Sequence, residues 1–196
     1  MATRSTPRRD QEVLSAAARV FHARGYADAS VQHVADELGI LKGSLYHYIS
    51  SKEELLYRLL DETHEEVSRI LDEVAASDSP PLDRLRLYVR RQVAYNLENL
   101  ERVAVYHHGL ARLGDERRLD LVGRRREHED FVTELIAAAQ ADGDVAAGED
   151  PRVLTRLVFG TMILTYNWFR AGRDDPEQVA DSCAEFAIRG VTGGGD

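Results

Sequence analysis

The sequence predicts an all-α protein, and three observations carry that prediction. None of the five prolines falls inside a helical apolar pattern. No convincing run of β-branched residues alternates with polar ones, and apolar residues recur at spacings of three and four along most of the 196 residues. Pro7 lies near the start, Pro80 and Pro81 close the polar break Ser77-Asp78-Ser79, and Pro151 and Pro176 each follow an aspartate. Asp-Pro at such places reads as an N-cap followed by the first helical position, where a missing N–H costs nothing.

The elements follow in order. A first helix is expected from about Arg8 to Arg24, with Val13, Leu14, Ala17, Val20 and Phe21 on one face and Gly25 ending it. Ser30 caps a short second helix bearing Val31, Val34, Ala35 and Leu38, and Gly39 stops it. A turn through Ile40 and Leu41 leads into a third helix, expected from Lys42 to Ile49. Ser51 caps a long fourth helix, with Glu53 and Glu54 in its first turn, where carboxylates favour the positive helix end. Leu55, Leu56, Leu59, Leu60, Val67, Ile70, Leu71 and Val74 keep helical spacing along it. Beyond the break at 77–81, helices are expected near 81–98, 101–113, 116–142, 151–171 and 176–190. The stretch from Val153 to Phe169 is apolar nearly all round, as in a helix buried on most sides.

Composition narrows the class. Hydrophobic residues at 43% and charged residues at 30% describe an ordinary globular chain able to bury a core without disulfides. The single cysteine, Cys183, forms no internal disulfide, which fits a reducing, cytoplasmic setting. The longest uncharged apolar run, Leu157 to Phe169, is too short to span a bilayer, which needs about 20 residues. No secretory signal is visible, and no membrane partner is expected. The net charge of −9 is unevenly spread: residues 1–60 carry a net of +1 and the remainder −10. Arg4, Arg8 and Arg9 form a basic arm ahead of the first acid. A basic arm on an otherwise acidic molecule orients it toward a phosphate backbone.

Two short helices joined by a tight turn containing glycine form a helix-turn-helix, whose second helix enters the major groove. Eight residues from Lys42 to Ile49 make a rod of about 12 Å, matching a groove of about 12 Å. Leu45 and Ile49 stand four apart and face inward, leaving Lys42, Ser44, Tyr46, His47 and Tyr48 as donors or stacking groups. Gly43 weakens the helix but permits close approach of a neighbouring molecule. The structural alternatives are Tyr46 as a core aromatic, Lys52 paired with Glu53 or Glu54, and His33 as an ordinary surface residue.

Four stretches carry a family resemblance. They are Phe21-His22-Ala23-Arg24-Gly25-Tyr26, Ser30-Val31-Gln32-His33-Val34-Ala35, Gly39-Ile40-Leu41-Lys42-Gly43-Ser44-Leu45-Tyr46-His47-Tyr48, and Ser51-Lys52-Glu53-Glu54-Leu55-Leu56. In order and spacing they resemble the DNA-binding domain of the TetR family of transcriptional regulators over about residues 10–56. Ile49 departs from the family's usual phenylalanine and stays apolar. The resemblance implies a DNA-binding domain over 1–50, with its basic arm, and an effector-binding and dimerisation domain over 51–196. It implies that Lys42, Ser44, Tyr46 and His47 approach bases and phosphates, with Gly43 beside them. Ser30, Gln32 and Tyr48 meet the backbone, and Lys52 binds a phosphate. It further implies a homodimer formed by the last two long helices, with Gly160 permitting close contact, reading a palindromic operator on double-stranded DNA.

For the effector site, the candidates are Tyr88, Tyr95, Tyr106, Phe131, Met162, Tyr166 and Trp168. The segment Leu164 to Arg170 is similar to the matching helix end in TetR regulators of fatty-acid and steroid catabolism, which respond to acyl-CoA thioesters. Arg112, Arg117, Arg118, Arg124, Arg125 and Arg126 could meet the phosphates of such a ligand, though Arg124–Arg126 also read as a solvated face paired with Glu127 and Glu129. No metal site is assigned, because adjacent His107 and His108 point about 100° apart on a helix. No cofactor is expected. An enzyme needs an activated nucleophile, a phosphate loop or a metal set, and none appears. The alternative to an effector-responsive repressor is a DNA-binding dimer without a small-molecule effector.

Overall fold

The computed structural model describes residues 7–193, with side chains from Arg9 onward. Arg4 and the side chain of Arg8, two members of the expected basic arm, lie outside the described residues. Every regular element among the described residues is helical. They are α1 (Pro7–Arg24), α2 (Val31–Glu37), α3 (Lys42–Leu45), α4 (Lys52–Ala75), α5 (Pro81–Glu98), α6 (Leu100–Gly109) with a 3-10 turn (Leu110–Arg112), α7 (Asp115–Ala141), α8 (Pro151–Ile163), α9 (Thr165–Trp168) and α10 (Pro176–Thr192).

Helix starts follow local chemistry. The Ser30 hydroxyl accepts from His33 N–H at 3.2 Å, and His33 Nδ1 accepts from Ser30 N–H at 3.2 Å, a reciprocal cap for α2. Ser51 Oγ accepts from Glu54 N–H at 3.0 Å. Asp150 accepts from Arg152 N–H, and Asp175 from Glu177 and Gln178 N–H, each directly ahead of a proline at the first position. Gly25 (φ +74°) and Gly39 (φ +65°) take the left-handed conformation that ends α1 and the α2 segment.

The chain forms two compact units. One comprises residues up to His64 together with Glu101–Leu121; the other comprises Glu65–Leu100 and Val122 onward. In the first, Val13, Ala17, Phe21, Val34, Leu45 and Leu59 belong to one buried apolar cluster. Arg102 on α6 pairs with Glu62 on α4 at 3.4 Å, both largely buried. In the second unit, Val89, Val93, Val132, Ile136, Leu154 and Ile188 lie in a second cluster. Arg86–Glu185 and Arg90–Asp181 ion pairs tie α5 to α10.

Three expectations are corrected. The third helix, expected over eight residues, is regular only from Lys42 to Leu45. Tyr46 to Tyr48 continue as turns, with His47 N–H bonded to Ser44 O and Tyr48 N–H to Leu45 O. Glycine, aromatic and β-branched residues are poor helix formers, so this segment is held by its anchors Leu45 and Ile49 rather than by propensity. The helix expected over 151–171 breaks at Leu164. There the Met162 carbonyl accepts from Thr165 Oγ1 at 2.8 Å and from Asn96 Nδ2 at 3.1 Å. Side-chain donors occupy a carbonyl that the next helical turn needs. Finally, α8 is not buried on most sides within one chain: Val153 and Leu157 are exposed on it, and Leu164 and Trp168 just beyond it.

Candidate nucleic-acid interface and effector core

Leu45 and Ile49 are buried in the first unit's core, and that anchoring turns the intervening residues outward. Lys42, Gly43, Tyr46 and His47 are exposed, while Ser44 and Tyr48 are half-buried. Tyr46 is 48% exposed, so it is not a core aromatic. Tyr48 packs against the core, and its carbonyl accepts from Arg58 Nη1 at 2.7 Å. A Cβ added at Gly43 meets nothing within 4 Å, so the fold itself does not demand glycine there. Gln32 is exposed and its amide donates to Asp36 at 2.7 Å. Ser30 spends its hydroxyl on the α2 cap, and His33 is half of that cap rather than a passive surface residue.

Lys52 is held in a way that spacing does not reveal. Its ammonium lies 4.3 Å from the Tyr26 ring centroid and donates to the Ala27 carbonyl at 3.2 Å. Burial pushes its pKa down, partly opposed by the nearby Asp28 carboxylate. The acids beside it are engaged elsewhere. Glu53 accepts from Gly114 N–H at 3.2 Å, and Glu54 accepts from the Ser50 hydroxyl and N–H. The Ser50 hydroxyl is the main reason that the Glu54 carboxyl sits below its usual range. The stabilisation this represents is present above the ordinary carboxylate pKa and is lost as pH falls through the lowered value.

The second unit holds a buried aromatic and polar core. Tyr88 is fully buried and meets Phe131 edge-on, with centroids 6.0 Å apart, and Phe159 at 6.5 Å. Its hydroxyl lies 3.3 Å from His128 Nδ1, and His128 Nε2 lies 3.1 Å from Ser68 Oγ. Tyr95 donates to Glu66 at 2.6 Å. Met162 is buried and offers its carbonyl to Asn96 and Thr165. Of the seven effector candidates, Tyr88, Phe131 and Met162 share this core, while Tyr95 on α5 is half-buried and bonded to Glu66. Tyr166 is half-buried and Trp168 exposed, both on α9. Tyr106 stands apart: it belongs to the first unit, where its hydroxyl meets His64 Nδ1 at 3.2 Å.

Sequence reasoning missed Gln92, Asn96 and His128, which are buried here. Tyr88, Gln92 and Asn96 are four apart along α5, so a polar stripe lies on a buried face. That spacing was the available signal. Gln92 donates to Asn96 at 2.9 Å, while its own Oε1 is buried with no hydrogen-bond partner among the described residues.

Several of the arginines proposed for phosphates are engaged. Arg117 lies 4.9 Å from the Tyr57 ring centroid and 3.7 Å from Glu53; Arg118 pairs with Asp115 at 2.9 Å, and Arg125 with Glu129 at 3.6 Å. His107 meets Tyr106 edge-on, and no group of three or more His, Cys, Asp or Glu among the described residues is placed to hold a metal. No helix among them is long and apolar enough to cross a membrane. On the outer side of the second unit, Gly160, Leu164, Trp168, Val179, Cys183 and Phe186 line an apolar groove.

Two family models cover most of the chain. Residues 13–59 match the bacterial regulatory proteins of the tetR family, and residues 78–191 match the tetracyclin repressor-like C-terminal domain. The chain belongs to the TetR family. It is a transcriptional regulator and not an enzyme. It is similar to the HTH-type transcriptional repressor KstR2 of Mycolicibacterium smegmatis, at 28% identity over 94% of this chain and 91% of that one. Among solved structures, the TetR regulator SCO3833 of Streptomyces coelicolor is 34% identical, covering 100% of this chain and 95% of that one, with a TM-score of 0.75. AibR, solved in complex with isovaleryl coenzyme A and operator DNA, is 29% identical over 91% of this chain and 97% of that one, with a TM-score of 0.82.

Proposed function

We propose that this TetR regulator is a homodimeric repressor that grips a palindromic operator and is released by an acyl-CoA thioester. One observation carries the DNA-binding half of that reading: Leu45 and Ile49 are buried while Lys42, Gly43, Tyr46 and His47 between or beside them are exposed. Lys42, Ser44, Tyr46 and His47, with Gly43 allowing close approach, are assigned to the groove. Ser30, Gln32, Tyr48 and Lys52 are assigned to the phosphates, which position the protein. The functional division remains 1–50 for DNA and 51–196 for effector binding and dimerisation. The exposed apolar residues of α8, α9 and α10 form the dimer face, so that two recognition segments lie about one DNA turn apart, roughly 34–36 Å.

The effector site is assigned to the core around Tyr88, Phe131 and Met162. Support comes from its buried polar groups set among aromatics, and from the isovaleryl coenzyme A in the AibR complex. The ligand shifts the dimer between two states that differ in the separation of the recognition segments, and can do so only by its differential affinity for them.

The test begins with selection of bound duplex from a random pool, followed by a panel of acyl-CoA thioesters added to the recovered complex. Release by at least one thioester is expected. A complex indifferent to all of them points to a DNA-binding dimer without this effector. Lys52→Met, which keeps apolar contact with Tyr26, is expected to weaken binding to all duplexes alike. It should also lower the slope of log affinity against log salt by about two per dimer, one for each lost phosphate contact. An unchanged slope removes Lys52 from the phosphate set.

A further inference from the structure

At 79%, Leu41 is the most exposed large apolar side chain among the described residues, and it stands where leucine contributes least to the fold. It is the N-cap of α3 (φ −70°, ψ 142°) and makes no side-chain cap hydrogen bond. N-caps favour Ser, Thr, Asp or Asn, whose oxygen takes up a free amide N–H of the first turn. A continuous helix would stack Leu41 one turn from Leu45, which is fully buried. The extended backbone at 41 instead turns its side chain into solvent. Nor does the turn need Leu41 as an anchor, because Leu38 and Ile40 already pack against the core. A residue that both forgoes a cap and exposes an isobutyl group breaks two local rules at once, and such breaks concentrate at functional positions.

We infer that Leu41 reads a thymine, its isobutyl group meeting the C5-methyl in the major groove. This rests on the DNA-reading face proposed above. Lys42, Tyr46 and His47, exposed beside it, supply polar groups suited to acceptors on base edges. The thymine methyl is the one apolar feature on the major-groove edge. Among these exposed residues Leu41 alone has a purely aliphatic side chain to meet it.

The test uses the full-length protein and the operator recovered by selection, with each thymine replaced in turn by deoxyuridine. That change removes the methyl and keeps the pairing. For the native protein, replacement at one symmetric pair of positions weakens binding by about fourfold per half-site, the worth of one methyl withdrawn from water. Leu41→Ala binds the thymine operator more weakly by a similar factor and no longer distinguishes thymine from uracil there. Leu41→Ser separates reading from folding: its hydroxyl can cap α3, so the thermal midpoint stays at or above native while methyl sensitivity disappears. Full native sensitivity in both variants overturns the inference, and so does an operator with no sensitive thymine. A selection that recovers no duplex removes the DNA-reading assignment itself, and the role of Leu41 with it.

Discussion

Replacing Phe186 by glutamate is expected to convert the proposed dimer to a folded monomer and to weaken operator binding by at least about a hundredfold. Phe186 is 68% exposed on α10 and lines the same groove as Leu164 and Trp168. Since its ring contributes little within one chain, the substitution leaves helical content intact. Across a two-fold interface the same position is altered on both sides, so two carboxylates enter an apolar contact together. Each loses the burial of an aromatic ring, about 1.5–3 kcal/mol, and adds the cost of desolvating an unpaired charge. A monomer reads only one half of a palindrome and loses the linked second contact. Sedimentation equilibrium and fluorescence anisotropy on the operator measure both effects. A variant that stays dimeric and binds with native affinity places the interface elsewhere.

Leu45→Ala is expected to bring the second large effect, by a different route. Leu45 is fully buried in the first unit and is the inward anchor of α3, with Ile49 as its partner one turn on. Truncating a buried leucine costs about 2–5 kcal/mol, the larger values arising where the surroundings cannot collapse. Glycine and aromatic residues give this segment little helical preference of its own, so losing the anchor releases the reading surface. The operator complex should be lost, with an earlier unfolding transition by circular dichroism, while the dimerisation proposed for α8 and α10 persists. Native binding together with a native midpoint would show that Leu45 does not hold the segment. His47→Ala provides the contrast. His47 is exposed, so stability should be unchanged while the preferred bases shift in a repeated selection.

Much of this was legible from the chain alone, for a local reason. Ser30, Ser51, Asp150 and Asp175 each accept an amide hydrogen within three residues, so their capping roles follow from neighbours in sequence. The periodic leucines of α4 likewise need only helical spacing to define an inward face. Spacing also placed Leu45 and Ile49 inward, and hence the candidate DNA-reading residues outward.

The remainder depended on partners far away in the chain. Asn96 bonds to the Met162 carbonyl across 66 positions, and with Thr165 it accounts for the break after α8 that periodicity read through. Lys52 rests on Tyr26 and Ala27, about 25 residues earlier, instead of on adjacent acids. Residue type alone groups Tyr106 with the effector candidates, but the fold puts it with His64 in the first unit. The sequence by itself therefore determined where helices begin, which faces are apolar and which family the pattern resembles. Only the tertiary structure decided where α3 and α8 stop, which polar groups are buried and which apolar side chains are left exposed. Hydrogen-bond competition and burial depend on groups brought together by folding, and no residue's near neighbours encode them.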